Sequence, residues 1–265
     1  VLWRVRNAFG GKLRLFFSGG AKLSKEIGWF FYGCGVTIIE GYGQTESAPI
    51  VSVNTVENNR FGTVGKPLSN VLVMLAEDKE ILVQGENVMK GYFKDPRATE
   101  ETIRDGWLYT GDLGVIEDGR LRIRGRKKEI IVTSGGKNIS PQNIEILFEG
   151  SRFINQAFVH GDGEKYLIAL ITPDHEQLAL HAEQVGLPVA CVDELCENAE
   201  IKELYKNIVS EVNAQVAEHE RIKRFLVLPK EFSVDDRELT ITLKLRRNII
   251  KIHYKEEIET LYGRT

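Results

Sequence analysis

The chain has 265 residues, of which 42% are hydrophobic and 28% charged, and its formal net charge is −3. These values describe an ordinary globular protein long enough for one large domain or two smaller ones, and they give no reason to expect nucleic acid as a partner. No apolar run approaches the roughly 20 residues of a membrane-spanning helix, so any membrane contact would be peripheral, and three cysteines without metal spacing (Cys34, Cys191, Cys196) point to a reduced, cytoplasmic setting.

Taken in chain order, Leu13–Ser18 reads as a short buried strand that stops at Gly19-Gly20. Lys22–Tyr32 has helical spacing in Leu23, Ile27, Phe30 and Phe31. Val36–Ile39 predicts a second strand, which delivers the block Gly41-Tyr42-Gly43-Gln44-Thr45-Glu46 at its C-terminal end. Two strand-end loops from neighbouring α/β units create a crevice, the usual place for a nucleotide in an open α/β sheet. From Gly62 the texture changes to short β-type runs at Val71–Leu75, Glu80–Val83, Leu108–Thr110, Leu113–Glu117 and Arg120–Arg124. Gly, Asp and Asn separate them, which predicts an antiparallel, barrel-like subdomain with one short helix over Asp95–Thr102.

A domain boundary is expected at Gly125–Lys128. Beyond it come a strand at Glu129–Val132, a Gly-rich loop, and a helix opening at Pro141, a favourable first helical position. Ile154–His160 and Tyr166–Thr172 pair as strands across Gly161-Asp162-Gly163, and helices are expected over His175–Val185, Glu200–Glu220 and Lys244–Leu261. The fold class is therefore α/β, with α+β parts.

Several blocks carry chemistry. The glycines of Gly41–Glu46 allow close backbone approach to a ligand. In the same block Tyr42 offers a flat face for a purine, Thr45 a hydroxyl donor for a phosphate oxygen, and Glu46 a hard carboxylate suited to Mg2+. Asp112, behind a Thr-Gly turn, is a carboxylate able to accept from a vicinal ribose diol, and Arg126 adds a planar donor fork to the same sugar. The five histidines have no ligand spacing and receive no role.

These blocks, together with Ser18-Gly19-Gly20-Ala21, Asn87–Phe93, Asp105–Gly114, Gly125–Glu129 and Leu243–Arg247, resemble the AMP-forming acyl-CoA synthetases of the adenylate-forming superfamily. The wording is nearest the long-chain fatty-acid branch. The resemblance implies the C-terminal part of a large α/β adenylate-forming domain over 1–61, a β-barrel-like subdomain over 62–124, a hinge over 125–128 and a mobile α+β domain over 129–265. It also implies ATP, Mg2+ and CoA, with a fatty acid converted to acyl-adenylate and then to acyl-CoA.

By the same resemblance, Gly19, Gly20, Ala21, Gly41, Tyr42, Gly43, Thr45, Asp112 and Arg126 bind nucleotide, and Glu46 holds the metal. Lys128 is the hinge residue, and the loop Ser134, Gly135, Gly136 faces the CoA side. Lys244 is the catalytic cation, aided by Thr45: a carboxylate attacking a phosphate brings two anions together, so a fixed cation has most effect at the transition state. The chain departs from the family at Ile241, where Pro is usual.

A Gly-rich phosphate loop upstream of these blocks is not found, the chain opens at Val1-Leu2-Trp3, and its methionines are Met74 and Met89. It reads as a C-terminal fragment that would not turn over substrate alone and would expose apolar surface around Leu13–Ser18 and Val36–Glu40. Two rival readings are an adenylate-former passing its acyl group to a carrier protein, and a non-catalytic nucleotide-binding module.

Overall fold

The computed structural model describes residues 2–187 and 191–264. The chain divides into two units, one ending at Lys128 and the other beginning at Glu129. In the first, helix α1 (Leu2–Ala8) precedes strand β1 (Leu15–Ser18), helix α2 (Lys25–Gly33) and strand β2 (Thr37–Tyr42). β1 and β2 lie parallel, from Leu15 opposite Thr37 to Ser18 opposite Glu40.

Helix α2 starts where Ser24 Oγ accepts the Ile27 N–H (3.4 Å). β2 runs further than expected, through Gly41 and Tyr42, because strand β3 (Ser52–Val53) returns antiparallel against those two residues and strand β4 (Lys66–Pro67) pairs with β3. Part of the block expected as loop is therefore strand end. Phe17 on β1 is 75% exposed, and Trp29 and Phe30 on α2 are exposed as well.

The rest of this unit is a curled antiparallel sheet. Its elements are β5 (Val71–Leu75), β6 (Glu80–Gly85), helix α3 (Pro96–Thr102), β7 (Ile103–Arg104), β8 (Trp107–Glu117) and β9 (Arg120–Arg126). The strand order is β5-β6-β8-β7, with β9 also on β8, over a core of Val51, Val71, Ile81, Val83, Leu108 and Leu121. The two runs expected at Leu108–Thr110 and Leu113–Glu117 are one strand. Gly111, at φ +71°, lets it bulge and continue, so the register steps from Leu82 opposite Tyr109 to Glu80 opposite Leu113.

In the second unit, strands β10 (Ile131–Val132) and β11 (Asn138–Ile139) form a small hairpin ahead of helix α4 (Pro141–Phe148). β12 (Ile154–His160) and β13 (Leu167–Pro173) pair antiparallel. Helices α5 (His175–Gln184), α6 (Val192–Glu197) and α7 (Ala199–Asn213) follow, then strand β14 (Ile222–Val227) and helices α8 (Arg247–His253) and α9 (Lys255–Tyr262). The sheet order is β12-β13-β14. β13 is buried throughout and its residues alternate between two cores: Leu167, Ala169 and Ile171 pack with Ile144, Phe148 and Tyr205, while Ile168 and Leu170 pack with Phe158, Ile250 and Ile258.

Three expected elements are corrected here. The strand Glu129–Val132 is only Ile131–Val132, since Lys127–Glu129 form a 3-10 turn. The helix Glu200–Glu220 ends at Asn213, whose side chain donates to Ile222 O (2.9 Å) and accepts from Ile222 N–H (2.8 Å), which turns the chain into β14. The helix Lys244–Leu261 is two helices, starting at Arg247 and interrupted at Tyr254 (φ −106°, ψ 32°). Among the described residues no helix is long and apolar enough to cross a membrane.

Candidate active site

The Gly111 bulge is where sequence becomes geometry. Its backbone donors are taken up by side chains: Gly111 N–H donates to Glu80 Oε1 (2.9 Å) and Asp112 N–H to Thr110 Oγ1 (3.1 Å). The Thr110 hydroxyl in turn donates to Ile81 O (2.8 Å). Asp112 is thereby set on the inward face of β8, in phase with buried Leu108 and Thr110, and is 5% exposed. A buried carboxylate needs donors. Tyr42 O–H donates to Asp112 Oδ2 at 2.7 Å, and Arg126 Nε lies 3.0 Å from Oδ1. Asp112 and Arg126 face each other in the β8–β9 register, so the ordered pair read from the sequence is a cross-strand pair.

Tyr42 ties the end of β2 to β8 across the first unit. Burial, and next the negative charge of Asp112, push its phenol well above the ordinary tyrosine range, so it remains a donor. Glu80, which holds the bulge, also binds Lys127 Nζ at 2.8 Å, and Lys127 reaches Asp78 as well. Lys128 follows directly, inside the Lys127–Glu129 turn.

The two glycine loops meet. A Cβ at Gly19 would stand 3.4 Å from Gly41 O, so the loop after β1 runs along the end of β2. Gly20 has φ +82° and Ala21 is exposed. Lys22, just beyond, has its pKa pushed down, by burial first and then by the nearby charges of Lys25 and Arg124. Gly43 is a glycine for an internal reason: an added Cβ would lie 1.7 Å from the Pro49 carbonyl oxygen. Thr45–Ser47 form a 3-10 turn in which Thr45 is exposed and Ser47 bonds back to Gln44.

Glu46 is half-buried, and its Oε1 accepts from Tyr92 O–H at 2.9 Å. Among the described residues no group of three or more His, Cys, Asp or Glu could hold a metal. A single carboxylate nevertheless suits Mg2+ delivered with nucleotide phosphates, because that ion takes one or two protein carboxylates and completes its shell with phosphate and water.

The first unit thus brings together Gly19–Ala21, Gly41–Glu46, Asp112 and Arg126. Lys244 and the loop Ser134–Gly136 belong to the second unit. That loop is exposed, with Gly136 at φ +72° and Ser134 N–H donating to Glu164 O (2.9 Å). Lys244 sits in a tight hairpin ahead of α8. Its N–H donates to Thr240 Oγ1 (3.0 Å), its carbonyl accepts from Thr240 N–H (2.8 Å), and Leu239 bridges Leu245. Leu243 has φ +59° and Ile241 is 91% exposed. Closure by Thr240 holds this loop at the place where the resemblance expects Pro.

Arg247 anchors that segment. It pairs with Glu145, donates to Val159 O (3.3 Å) and lies 3.5 Å from Glu129, while Glu145 accepts the Val159 N–H (2.8 Å). Arg247 and Glu145 together satisfy the outward N–H and C=O of Val159 on edge strand β12, as another strand would. Burial pushes the Glu145 carboxyl up, opposed by the Arg247 charge. Sequence reasoning assigned no function to Tyr92, Glu80 or Glu145. Tyr92 was signalled by its place in the Asn87–Phe93 run, whereas Glu80 and Glu145 resemble any solvated acid until the fold is known.

A buried, sheet-borne carboxylate beside two glycine loops sits in the first unit, and a separate α+β unit follows it in the chain. The chain belongs to the AMP-binding enzyme family: residues 3–93 match the AMP-binding enzyme profile, and residues 128–265 match that of the AMP-binding enzyme C-terminal domain. It is 39% identical to a long-chain-fatty-acid–CoA ligase of Mycobacterium bovis over all of this chain and 44% of that protein. It is 34% identical to long-chain-fatty-acid–CoA ligase 5 of Rattus norvegicus over 99% of this chain and 41% of that protein. The chain therefore spans less than half the length of these relatives. Among solved structures it resembles the adenylation domain of a carboxylate reductase from Mycobacterium chelonae (TM-score 0.80, 25% identity, 99% of this chain and 41% of that one). It also resembles the O-succinylbenzoate–CoA synthetase of Bacillus subtilis solved with ATP and magnesium (TM-score 0.67, 25% identity, 89% and 46%).

Proposed function

We propose that the protein is an AMP-forming acid–thiol ligase that activates a long-chain fatty acid. ATP and the acid give acyl-adenylate and pyrophosphate, and CoA then takes the acyl group, releasing AMP. The observation that carries this reading is Asp112, aimed by the Gly111 bulge, braced by Tyr42 and paired in register with Arg126. The long-chain relatives support the choice of acid. In this reading Tyr42, Thr45 and the glycines of both loops border the nucleotide, and Glu46 ligates the Mg2+ that neutralises phosphate charge. Lys244 supplies the cation for adenylation, Lys128 is the hinge, and Ser134–Gly136 serve the CoA half. The three free cysteines fit a reducing, cytoplasmic setting.

Half-reaction assays on the full-length protein test it. Lys244→Ala should slow pyrophosphate release by about 10²–10³, the loss typical of one preorganised transition-state donor. Thioester formation from preformed acyl-adenylate should stay near wild type. Lys128→Pro fixes φ and removes a donor, so it should spare adenylation and hinder the thioester half. Equal damage to both halves by Lys244→Ala would make that lysine structural. Transfer to a carrier protein with none to CoA would favour the carrier-protein alternative.

A further inference from the structure

The stretch from Asn87 to Tyr92 holds the Thr45–Glu46 turn at successive points. Asn87 Nδ2 donates to the carbonyls of Ser47 (3.0 Å) and Ile50 (3.2 Å), and Met89 N–H donates to the Glu46 carbonyl (2.8 Å). These bonds fix the backbone of the turn. Tyr92 then fixes the side chain, its hydroxyl donating to Glu46 Oε1 at 2.9 Å.

Tyr92 is itself held from behind. Its N–H donates to Thr99 Oγ1 (2.9 Å), and the Thr99 hydroxyl donates to the carbonyl of Asp95, the residue that caps α3. Gly91, at φ +147°, permits this approach, since a Cβ there would stand 2.7 Å from the Thr99 methyl. A chain of contacts thus runs from α3 through Tyr92 to one oxygen of Glu46.

A glutamate turns about three side-chain bonds, so an untethered carboxylate spends little of its time aimed at any one point. A donor on one oxygen removes that freedom and leaves the other oxygen to ligate. We propose that Tyr92 is a positioning residue for Glu46, its hydroxyl holding the carboxylate in the orientation that ligates the divalent cation accompanying the nucleotide phosphates. This rests on the reading of Glu46 as that cation's protein ligand. Outer partners of metal ligands act by fixing ligand orientation, and losing one weakens metal affinity by about 10–100-fold.

The test uses the full-length protein with Tyr92→Phe, which keeps the ring and removes only the hydroxyl, beside Glu46→Gln and wild type. Mn2+ serves as the probe, its free concentration read by electron paramagnetic resonance in the presence of a non-hydrolysable ATP analogue. AMP affinity without metal is measured in parallel. Tyr92→Phe should weaken Mn2+ binding by about tenfold and leave metal-free AMP affinity unchanged, a split that a merely structural tyrosine would not produce. If Glu46→Gln weakens Mn2+ binding and Tyr92→Phe does not, the positioning role is wrong while the Glu46 reading stands. If Glu46→Gln also binds Mn2+ like wild type, the ligand assignment falls and the inference falls with it.

Discussion

Replacing Asp112 by Asn separates a ribose ligand from an internal strut, because the amide has the carboxylate's shape without its charge. Two contacts set the stability cost. The Tyr42 hydroxyl donates to Oδ2 at 2.7 Å in a part-buried setting. Hydrogen bonds to charged groups are worth about 1.5–3 kcal/mol and neutral ones about 0.5–1.5 kcal/mol, and an amide oxygen still accepts, so the loss there is about 1 kcal/mol. The Arg126 side chain is 52% exposed, and screening keeps such a pair within about 0–1 kcal/mol. The total is about 1–2 kcal/mol, a drop of a few degrees in melting temperature. Nucleotide binding should suffer as well: each ribose hydroxyl that meets an amide instead of a carboxylate loses about 1 kcal/mol, so a diol loses about 1–2 kcal/mol, or about 5–30-fold in AMP affinity. Calorimetric titration with AMP and a melting curve, both on the full-length variant, read the two quantities. AMP binding as tight as wild type, together with the expected fall in melting temperature, would show that Asp112 only braces Tyr42 and Arg126.

The remaining predictions concern the frame around the site. Gly43→Ala places a Cβ 1.7 Å from a backbone carbonyl at Pro49, whereas Gly111→Ala meets no atom within 4 Å and bears only left-handed backbone strain, about 1–2 kcal/mol. Melting curves should therefore rank Gly43→Ala as the more damaging, and the reverse order would refute the close-approach argument. Arg247→Met removes the counter-charge of buried Glu145 and should cost about 3–5 kcal/mol in urea unfolding, with part recovered when Glu145→Gln is added. A cost under about 1 kcal/mol would mean that the pair seals nothing at the edge of β12.

Local chemistry was legible in the sequence. Gly161-Asp162-Gly163 announced the β12–β13 connection, Pro141 the start of α4, and Asp95-Pro96 the start of α3, whereas the turn expected at Thr110-Gly111 is a bulge inside β8. Each depends on torsions or donors within a few residues, which is why composition and spacing suffice. The fold class followed from the same local patterns, and the family from the resemblance of the blocks to the AMP-forming acyl-CoA synthetases.

Only the tertiary structure decided the contacts these blocks make within each unit. Tyr42 meets Asp112 across 70 positions, and Arg247 meets Glu145 across 102. Gly43 is a glycine because Pro49 returns upon it, and Lys244 leaves the expected helix because Thr240 closes its turn. Strand β14 was unreadable because it pairs with β13, more than fifty positions earlier, while Asn213 ends the helix before it. Periodicity and turn propensity act along the chain. Register, bulges and the partner of a buried charge depend on which distant segment packs alongside.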